Sequence, residues 1–230
     1  MIPKIIHLIW IGEKEMPLLY KRCIESWERF ATGYEVMFWN NDNIPKNDPF
    51  INRMINERKY AFASDYLRCL VLEQYGGIYF DADIELVNSI DQLCSNHCFL
   101  GYESLDRVAN GVMGAIPNHW FIHKLGHKIK DSSKLKAIPL HTTELLKENG
   151  MLTLDIATKF NSIMVKDVTI YHSSYFYPYN PYDKSKGVSQ LLFSDIKPHT
   201  IAIHHWAKQW NISLYDKFVG KLKGIFKNGK

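Results

Sequence analysis

Two aspartates, Asp81 and Asp83, are one residue apart and directly follow a short apolar run at residues 78–80. The run predicts a buried strand, and residues i and i+2 of an extended chain point to the same side, so the two carboxylates can share one target. Carboxylate oxygens are ligands that suit Mg²⁺ or Mn²⁺. The pair therefore predicts a metal site where a strand ends.

A helix expected just before this strand carries a second charged pair. Residues 61–75 are rich in helix formers, and Gly76 and Gly77 end the pattern. Asp65 and Arg68 are three positions apart and therefore face the same way. Taken alone they would be an ordinary surface ion pair. Close to two further carboxylates they become candidates for the same site.

Strand and helix patterns alternate along the chain, which predicts an α/β fold. Residues 2–10 are almost continuously apolar, as in a parallel strand covered on both faces, and a helical segment separates them from a second strand at 34–39. Trp10 ends the first strand, at the edge where open α/β sheets bind ligands, so it is either packed core or a stacking surface. Further elements are expected as strands at 98–102, 111–116 and 201–205, a turn and short helix at 87–94, and helices near 50–55, 120–129 and 142–146.

Histidines and tyrosines offer two more features. His119, His123 and His127 recur at helical spacing, and His141 follows, but no acidic partner is evident on that face, so a solvated helix surface is the preferred interpretation. Residues 173–186 carry four tyrosines among prolines and turn formers. That loop is either a platform for a sugar acceptor or simply packs on the domain.

Composition bounds the class of protein. The chain of 230 residues fits one sizeable domain, and 28 basic against 24 acidic residues give a net charge of +4, too small a bias to indicate nucleic acid. The four cysteines form no C-x-x-C pair and no secretion signal is recognised, which favours reduced thiols in the cytoplasm. No apolar run reaches the roughly 18 residues of a membrane span.

The C-terminal residues 214–230 form a short basic amphipathic pattern, with lysines interspersed among apolar residues at helical spacing. One interpretation is a helix docked on the main domain at 1–213. The other is peripheral attachment to the anionic inner face of the plasma membrane.

Three separated motifs together resemble the DXD-motif sugar transferases of glycosyltransferase family 32, and more distantly the large glucosylating toxins. The central motif is A-x-x-S-D-x-x-R at 61–68 followed by Y-G-G-I-Y-x-D-x-D at 75–83. The opening apolar stretch at 2–12 is similar to the family's first strand. His204, His205 and Trp206, followed by Trp210, are similar to its C-terminal motif.

The resemblance implies a GT-A-like single domain with a Rossmann-like mixed sheet flanked by helices. It implies metal-dependent transfer of a hexose from a nucleotide-diphosphate sugar, most simply a uridine diphosphate sugar, to a glycan or lipid-linked glycan. Retention of anomeric configuration and a role in surface polysaccharide synthesis follow from the same resemblance. A metal-dependent phosphohydrolase and a non-catalytic sugar-binding module remain alternatives.

The resemblance also implies roles for individual residues. Asp83 would bind Mn²⁺ or Mg²⁺ directly, with His204 or His205 as the second ligand and strand alternation favouring His204. The candidate catalytic residues are Asp65, Arg68, Asp81 and Asp83. The candidate donor-binding residues, which would contact the base, ribose, sugar or leaving group, are Trp10, Asp65, Arg68, Asp81, Asn110, Trp206 and Trp210. Asparagine before a strand is also an ordinary turn residue.

Overall fold

The strand β1 (Ile5–Ile9) lies inside the main sheet because nearly all of its side chains are apolar and buried. It pairs in parallel with β2 (Glu35–Trp39) and with β3 (Gly77–Phe80), and α1 (Leu18–Phe30) makes the crossover from β1 to β2. This computed structural model describes residues 1–104, 107–151, 161–183 and 190–207. Trp210 and the basic segment at 214–230 lie outside the described residues.

The main sheet has seven strands among the described residues. Besides β1, β2 and β3 it contains β5 (Cys98–Ser104), β6 (Arg107–Ala115), β7 (Ser162–Val165) and β8 (Val168–Tyr171). The strand order is β2-β1-β3-β6-β5-β8-β7. Pairing is parallel around β1 and between β5 and β8, and antiparallel elsewhere, so the sheet is mixed. The predicted α/β architecture is confirmed. The strands β7 and β8, at one end of this order, had no sequence prediction.

Four helices share one apolar cluster on the same face of the sheet. The first of them is capped by Asp48, whose side chain accepts hydrogen bonds from the backbone N–H groups of Phe50 and Ile51. The last of the four in chain order begins at Ile138, four residues before its predicted start, and has a proline in its first turn. These helices are α2 (Pro49–Asn56), α3 (Tyr60–Tyr75), α4 (Trp120–Lys130) and α5 (Ile138–Glu148).

A small second sheet lies with α1 on the opposite face. It pairs β4 (Ile84–Leu86) with β9 (Ala202–His204) in antiparallel register. Trp27 of α1 donates its indole N–H to the carbonyl of Ile84 at 2.8 Å. The sequence prediction missed β4 because a three-residue strand is too short to show a period. Since β4 begins immediately after Asp83, α1 helps to fix the position of that carboxylate.

Only Gly76 separates the end of α3 from the start of β3, where the sequence predicts that the helix ends. Gly76 and Gly77 have φ angles of 63° and 97°, which L-residues with a Cβ rarely adopt. A Cβ on Gly77 would lie 2.6 Å from the carbonyl oxygen of Ile5. The two glycines therefore let the chain reverse tightly against β1, which sets where Asp65 on the helix stands relative to the end of β3.

All four cysteines are buried free thiols. Among the helices that the structure describes, none is both long and apolar enough to cross a bilayer.

Candidate active site

The two aspartates of the D-x-D motif converge on one point together with a histidine from a distant part of the chain. Asp81, Asp83 and His204 each offer a ligand atom, and these atoms all lie within 4.8 Å of one another. The convergence has a different cause from the predicted one. Residues 81–84 form a turn, with the N–H of Ile84 donating to the carbonyl of Asp81 at 3.0 Å, rather than an extended strand.

The register of the small sheet selects which histidine joins the cluster. Ile84 pairs with His204, and the Nε2 atom of His204 lies 3.2 Å from Oδ1 of Asp83. His205 donates its backbone N–H to the Asp83 carbonyl, but its ring contacts Glu85, with 2.7 Å between Nε2 and a carboxylate oxygen. The described geometry thus brings His204 and not the His205 ring to the aspartates.

Burial and charge shape the Asp83–His204 pair. Burial disfavours both charged forms, but the ion pair outweighs it, so the pKa of Asp83 is lowered and the pKa of His204 is raised. The backbone N–H of Ala207 also donates to Oδ2 of Asp83 at 2.9 Å. The second ring nitrogen of His204, Nδ1, is buried and has no hydrogen-bond partner among the described residues. Two carboxylates and an imidazole with an unused nitrogen form a donor set that fits Mn²⁺ or Mg²⁺.

Arg68 ties the helix pair to the D-x-D motif. Its guanidinium lies 2.9 Å from Asp65 and 3.3 Å from Asp81, and it donates to the backbone carbonyl of Asn110 at 2.9 Å. It also stacks over the ring of Tyr79, 4.4 Å from the ring centre. Only 7% of the Arg68 side chain is exposed, and most of its guanidinium N–H groups bond to the protein itself. The predicted proximity of the pair and the motif is therefore present in the structure.

Asp81 is held from three sides. Tyr79 donates its hydroxyl to Oδ1 at 2.7 Å, and Arg68 approaches the same oxygen. The other oxygen, Oδ2, lies against Gly111, where a Cβ would be only 2.9 Å away. The hydroxyl of Tyr177, which accepts the N–H of Val112, borders the same position. Gly111 therefore lets the carboxylate approach the backbone of β6.

Asn110 lies within β6, not in the turn that the sequence suggests. It is only 2% exposed. Its Oδ1 accepts a hydrogen bond from Thr142 of α5 at 2.9 Å, and its amide nitrogen lies 3.7 Å from the sulfur of Met113. Asn110 thus joins β6 to α5 directly behind the site, and its contact with a donor sugar stays a prediction.

Two tryptophans border the cluster. Trp206 follows β9 with a left-handed backbone, φ 55°, a conformation that costs a bulky residue about 1 to 3 kcal/mol. Its indole N–H donates to the carbonyl of Tyr179, and its ring lies 4.3 Å from the imidazole of His204. Trp10 lies beyond β1 and meets Tyr20 edge-on at 5.2 Å. Trp210 lies outside the described residues.

The structure adds site residues that sequence reasoning did not select: Tyr20, Tyr79, Gly111, Thr142 and Tyr177. Burial raises the pKa of Tyr20, and the charges of Asp83 and Asp81 raise it further, which locates this phenol near both carboxylates. Only Tyr79 carried a local signal, being i−2 from Asp81 on the same strand. The other four arrive through long-range packing.

The remaining histidines correct one expectation. His119 is buried, caps α4 and lies 3.3 Å from Asp167, and His141 is also buried, so a solvated surface is wrong for both. His123 and His127 are exposed, as expected, but His123 does have an acidic partner in Glu73, 2.5 Å away. The acids come from other elements, which periodicity along one helix cannot reveal.

Comparison with known proteins agrees with this geometry. Residues 17–100, which include the D-x-D motif, match the family described as "Glycosyltransferase sugar-binding region containing DXD motif". A solved structure named PaToxG Glycosyltransferase superposes with a TM-score of 0.52 at 23% sequence identity, covering 64% of this chain and 69% of its own. The fold is therefore GT-A-like, with the motif at the expected edge of the sheet.

Two curated relatives are similar in sequence. An uncharacterized glycosyltransferase of Acanthamoeba polyphaga mimivirus is 28% identical over 198 residues, which is 80% of this chain and 76% of the relative. A mannosyl phosphorylinositol ceramide synthase of Saccharomyces cerevisiae is 29% identical over 164 residues, or 69% of this chain and 42% of the yeast protein. The chain thus spans less than half of the yeast relative.

Proposed function

We propose that this protein is a metal-dependent glycosyltransferase that moves a hexose from a nucleotide-diphosphate sugar to a glycan acceptor. The observation that carries the proposal is the convergence of Asp81, Asp83 and His204 within 4.8 Å, with both aspartates inside the stretch at 17–100 that matches the DXD sugar-binding family. A nucleotide-sugar donor requires a group that stabilises the negative charge of its departing diphosphate. A divalent cation held by these three residues would supply that stabilisation as a Lewis acid.

The protein residues have separable tasks in this proposal. Asp83 and His204 hold the cation, and Asp81 assists it or binds the ribose and sugar of the donor. Asp65 accepts sugar hydroxyls, while Arg68 fixes the carboxylates of Asp65 and Asp81 through its ion pairs. Trp206, beside the His204 ring, lines the leaving group, and Trp10 stacks on the base.

The finer parts of the proposal have separate support. The sequence resemblance supports membership of glycosyltransferase family 32, retention of configuration, a uridine diphosphate donor, and a role in surface polysaccharide synthesis. A hexose is also supported by relatives named as mannosyltransferases, among them inositol phosphoceramide mannosyltransferase 3 of Schizosaccharomyces pombe, 24% identical over 221 residues. Mn²⁺ is favoured over Mg²⁺ because the donor set includes an imidazole.

We further propose that the enzyme works in the cytoplasm, with the basic segment at 214–230 holding it on the inner face of the plasma membrane. The support is the amphipathic sequence pattern, in which each lysine near an anionic surface contributes about 1 kcal/mol. A lipid-linked glycan acceptor would make such attachment useful. Sedimentation with anionic vesicles, comparing the full chain with one ending at residue 213, tests this part alone.

The decisive experiment incubates the purified protein with Mn²⁺ and a panel of nucleotide sugars. Release of free nucleoside diphosphate supports a transferase, and release of inorganic phosphate would instead indicate a phosphohydrolase. Binding of sugars without release of either would indicate a non-catalytic module. The stereochemistry of the released or transferred sugar, followed by NMR, then decides between retention and inversion.

A further inference from the structure

A surface pocket with a volume of about 340 Å³ lies where the ends of three helices meet. Its lining comes from the last turn of α2, the turn into α3, the end of α4 and the loop towards α5. Besides two apolar residues, the pocket is lined by three basic side chains, one acid and two serines: Arg53, Lys59, Lys130, Glu57, Ser132 and Ser133. It therefore offers mainly positive charge and hydrogen-bond donors to a ligand.

The acids beside the pocket balance only part of this charge. Glu57 lies 2.5 Å from Lys59, and its pKa is lowered by the hydrogen bond from Lys59 and also by the charge of Arg53. Lys130 lies 3.3 Å from Asp48, which caps α2 as well. Three cations thus share two carboxylates, and the pocket keeps an excess of positive charge at neutral pH.

Lys59 occupies a position that local helix chemistry disfavours. It is the N-cap residue of α3, makes no side-chain capping hydrogen bond, and places a positive charge at the end of the helix that favours negative charge. By contrast, Arg53 and Lys130 lie in the last turns of their helices, where cations are favoured. Helix stability therefore explains two of the three cations and not Lys59. A negatively charged ligand that contacts all three explains the whole set.

The chemistry of the lining fits a phosphate group. A guanidinium, two ammonium groups and two hydroxyls can all donate hydrogen bonds, and they come from separate segments of the chain. The oxygens of a phosphate accept such charge-assisted bonds from several directions at once. The pocket is also large enough to admit part of the molecule that carries the phosphate.

The pocket lies close to the proposed donor-sugar contact. Lys59 precedes Asp65 by six residues, which is about 9 Å along a helix that rises about 1.5 Å per residue. Leu135, which also lines the pocket, precedes Ile138 by three residues, at most about 11 Å of chain. The backbone N–H of Ile138 binds the carboxylate of Asp65. Both routes place the pocket on the order of 10 Å from Asp65, a span that a short glycan bridges.

We propose that this pocket binds a phosphate group carried by the acceptor. The diphosphate of the donor is already assigned to the cation at Asp81, Asp83 and His204, so a phosphate in the pocket belongs to the other substrate. The acceptor is then a glycan that bears a phosphate near the sugar that receives the new linkage. This inference rests on the proposed function and extends it to the class of acceptor.

The test uses a panel of methyl dihexosides, each prepared with and without a phosphate monoester, and the full-length protein. Calorimetric titration in the presence of Mn²⁺ and uridine diphosphate measures the binding of each probe. Wild type should bind a phosphorylated probe roughly tenfold more tightly than its neutral counterpart. Arg53→Gln and Lys59→Gln should each weaken binding of the phosphorylated probe about three- to tenfold and leave the neutral probe unchanged. Lys147→Gln, which removes an exposed lysine from the other end of α5, is the matched control and should behave as wild type.

Inorganic phosphate separates a site for a glycan phosphate from a site for any small anion, and it should bind at least about tenfold more weakly than the phosphorylated probe. Equal affinities for the two forms of every probe, or unchanged binding in both Arg53→Gln and Lys59→Gln, would overturn the proposal. Inorganic phosphate that binds as tightly as the phosphorylated probe would overturn it as well. If wild type releases no nucleoside diphosphate from any donor, the proposed function fails instead, and the titrations alone decide whether the pocket binds a glycan phosphate.

Discussion

The cluster of Asp81, Asp83 and His204 at the end of β3, called the D-x-D edge below, and the helix α4 both combine histidines with carboxylates. Only the D-x-D edge brings these groups together in a shared site. At the D-x-D edge, Asp81, Asp83 and His204 converge from a turn and a distant strand within 4.8 Å of one another. Along α4 each histidine has its own acid: Asp167 for His119, Glu73 for His123, and Asp131 for His127.

The difference shows what makes a candidate metal centre. Histidines at i and i+4 share a helix face, but each ring contacts a different acid, so the acids do not converge on one point. At the D-x-D edge the strands β4 and β9 bring three groups to one point, and a buried imidazole nitrogen still lacks a partner among the described residues. In the part of the chain that the structure describes, buried imidazole nitrogens without a hydrogen-bond partner occur in both regions, Nδ1 of His204 and Nε2 of His119. What distinguishes this site from an ordinary set of ion pairs is the convergence of three ligand groups on one point.

The largest expected effect separates the two regions directly. Asp83→Asn should lower Mn²⁺ affinity at least about a hundredfold and abolish transfer, because it removes a ligating charge without changing shape. Asp167→Asn, the matched change beside α4, should leave both within about twofold of wild type. Calorimetric titration with Mn²⁺ and nucleoside diphosphate release measure the pair. Equal behaviour of the two variants would show that the D-x-D edge is not the metal site.

The second comparison is within the small sheet. His204→Ala should lower Mn²⁺ affinity about ten- to a hundredfold, whereas His205→Ala should change it little because that ring contacts Glu85. Both variants lose one ring from adjacent positions, which controls for local disruption of β9. A larger metal defect in His205→Ala would mean that the register of β4 and β9 differs in the working enzyme.

The third comparison concerns how tightly Asp81 is packed. Gly111→Ala would put a methyl group 2.9 Å from Oδ2 of Asp81, and displacing a carboxylate by about 1 Å costs on the order of a hundredfold in turnover. Gly126→Ala in α4 makes ordinary van der Waals contacts, with the Cβ of Cys69 at 3.4 Å and with Cε2 of Tyr66 at 3.8 Å. That control should keep full activity and gain about 0.5 to 1 kcal/mol of stability. Thermal melts and kcat/KM report both, and wild-type activity in Gly111→Ala would argue against a fixed Asp81.

The smallest effect is a pH dependence of stability. Burial raises the pKa of Asp65 to about 6, helped by Asp81 and opposed by Arg68 and the backbone N–H of Ile138. An unfolded aspartate titrates near about 3.9, so the folded state holds its proton longer, and stability falls as pH rises from about 4 to about 6.

Asp65→Asn removes this titration. In metal-free denaturant melts, its stability relative to wild type should therefore increase by about 2 to 3 kcal/mol between pH 4 and pH 7. Removing the exposed pair partner in His123→Ala should change stability by less than about 1 kcal/mol over the same range. A difference between Asp65→Asn and wild type that does not vary with pH would show that Asp65 is ionised normally.

Local sequence carried much of this site. The phase of α3 brings Asp65 and Arg68 to one face, two glycines end the helix, and Asp81 comes directly after the strand that follows. The strand geometry expected for Asp83 was wrong, because residues 81–84 form a turn. The other relations span few residues and follow from helix and strand geometry alone. For the same reason the mixed α/β fold could be predicted from alternating apolar patterns.

Tertiary structure decided the rest. The register of β4 with β9 chose His204 over His205 across 120 positions of sequence, and a close approach of β6 made Gly111 a neighbour of Asp81. Long-range packing buried Asn110 against Thr142 and brought acids to His119 and His123. Such contacts depend on which elements lie side by side, and local periodicity determines the face that an element buries but not the partner that covers it.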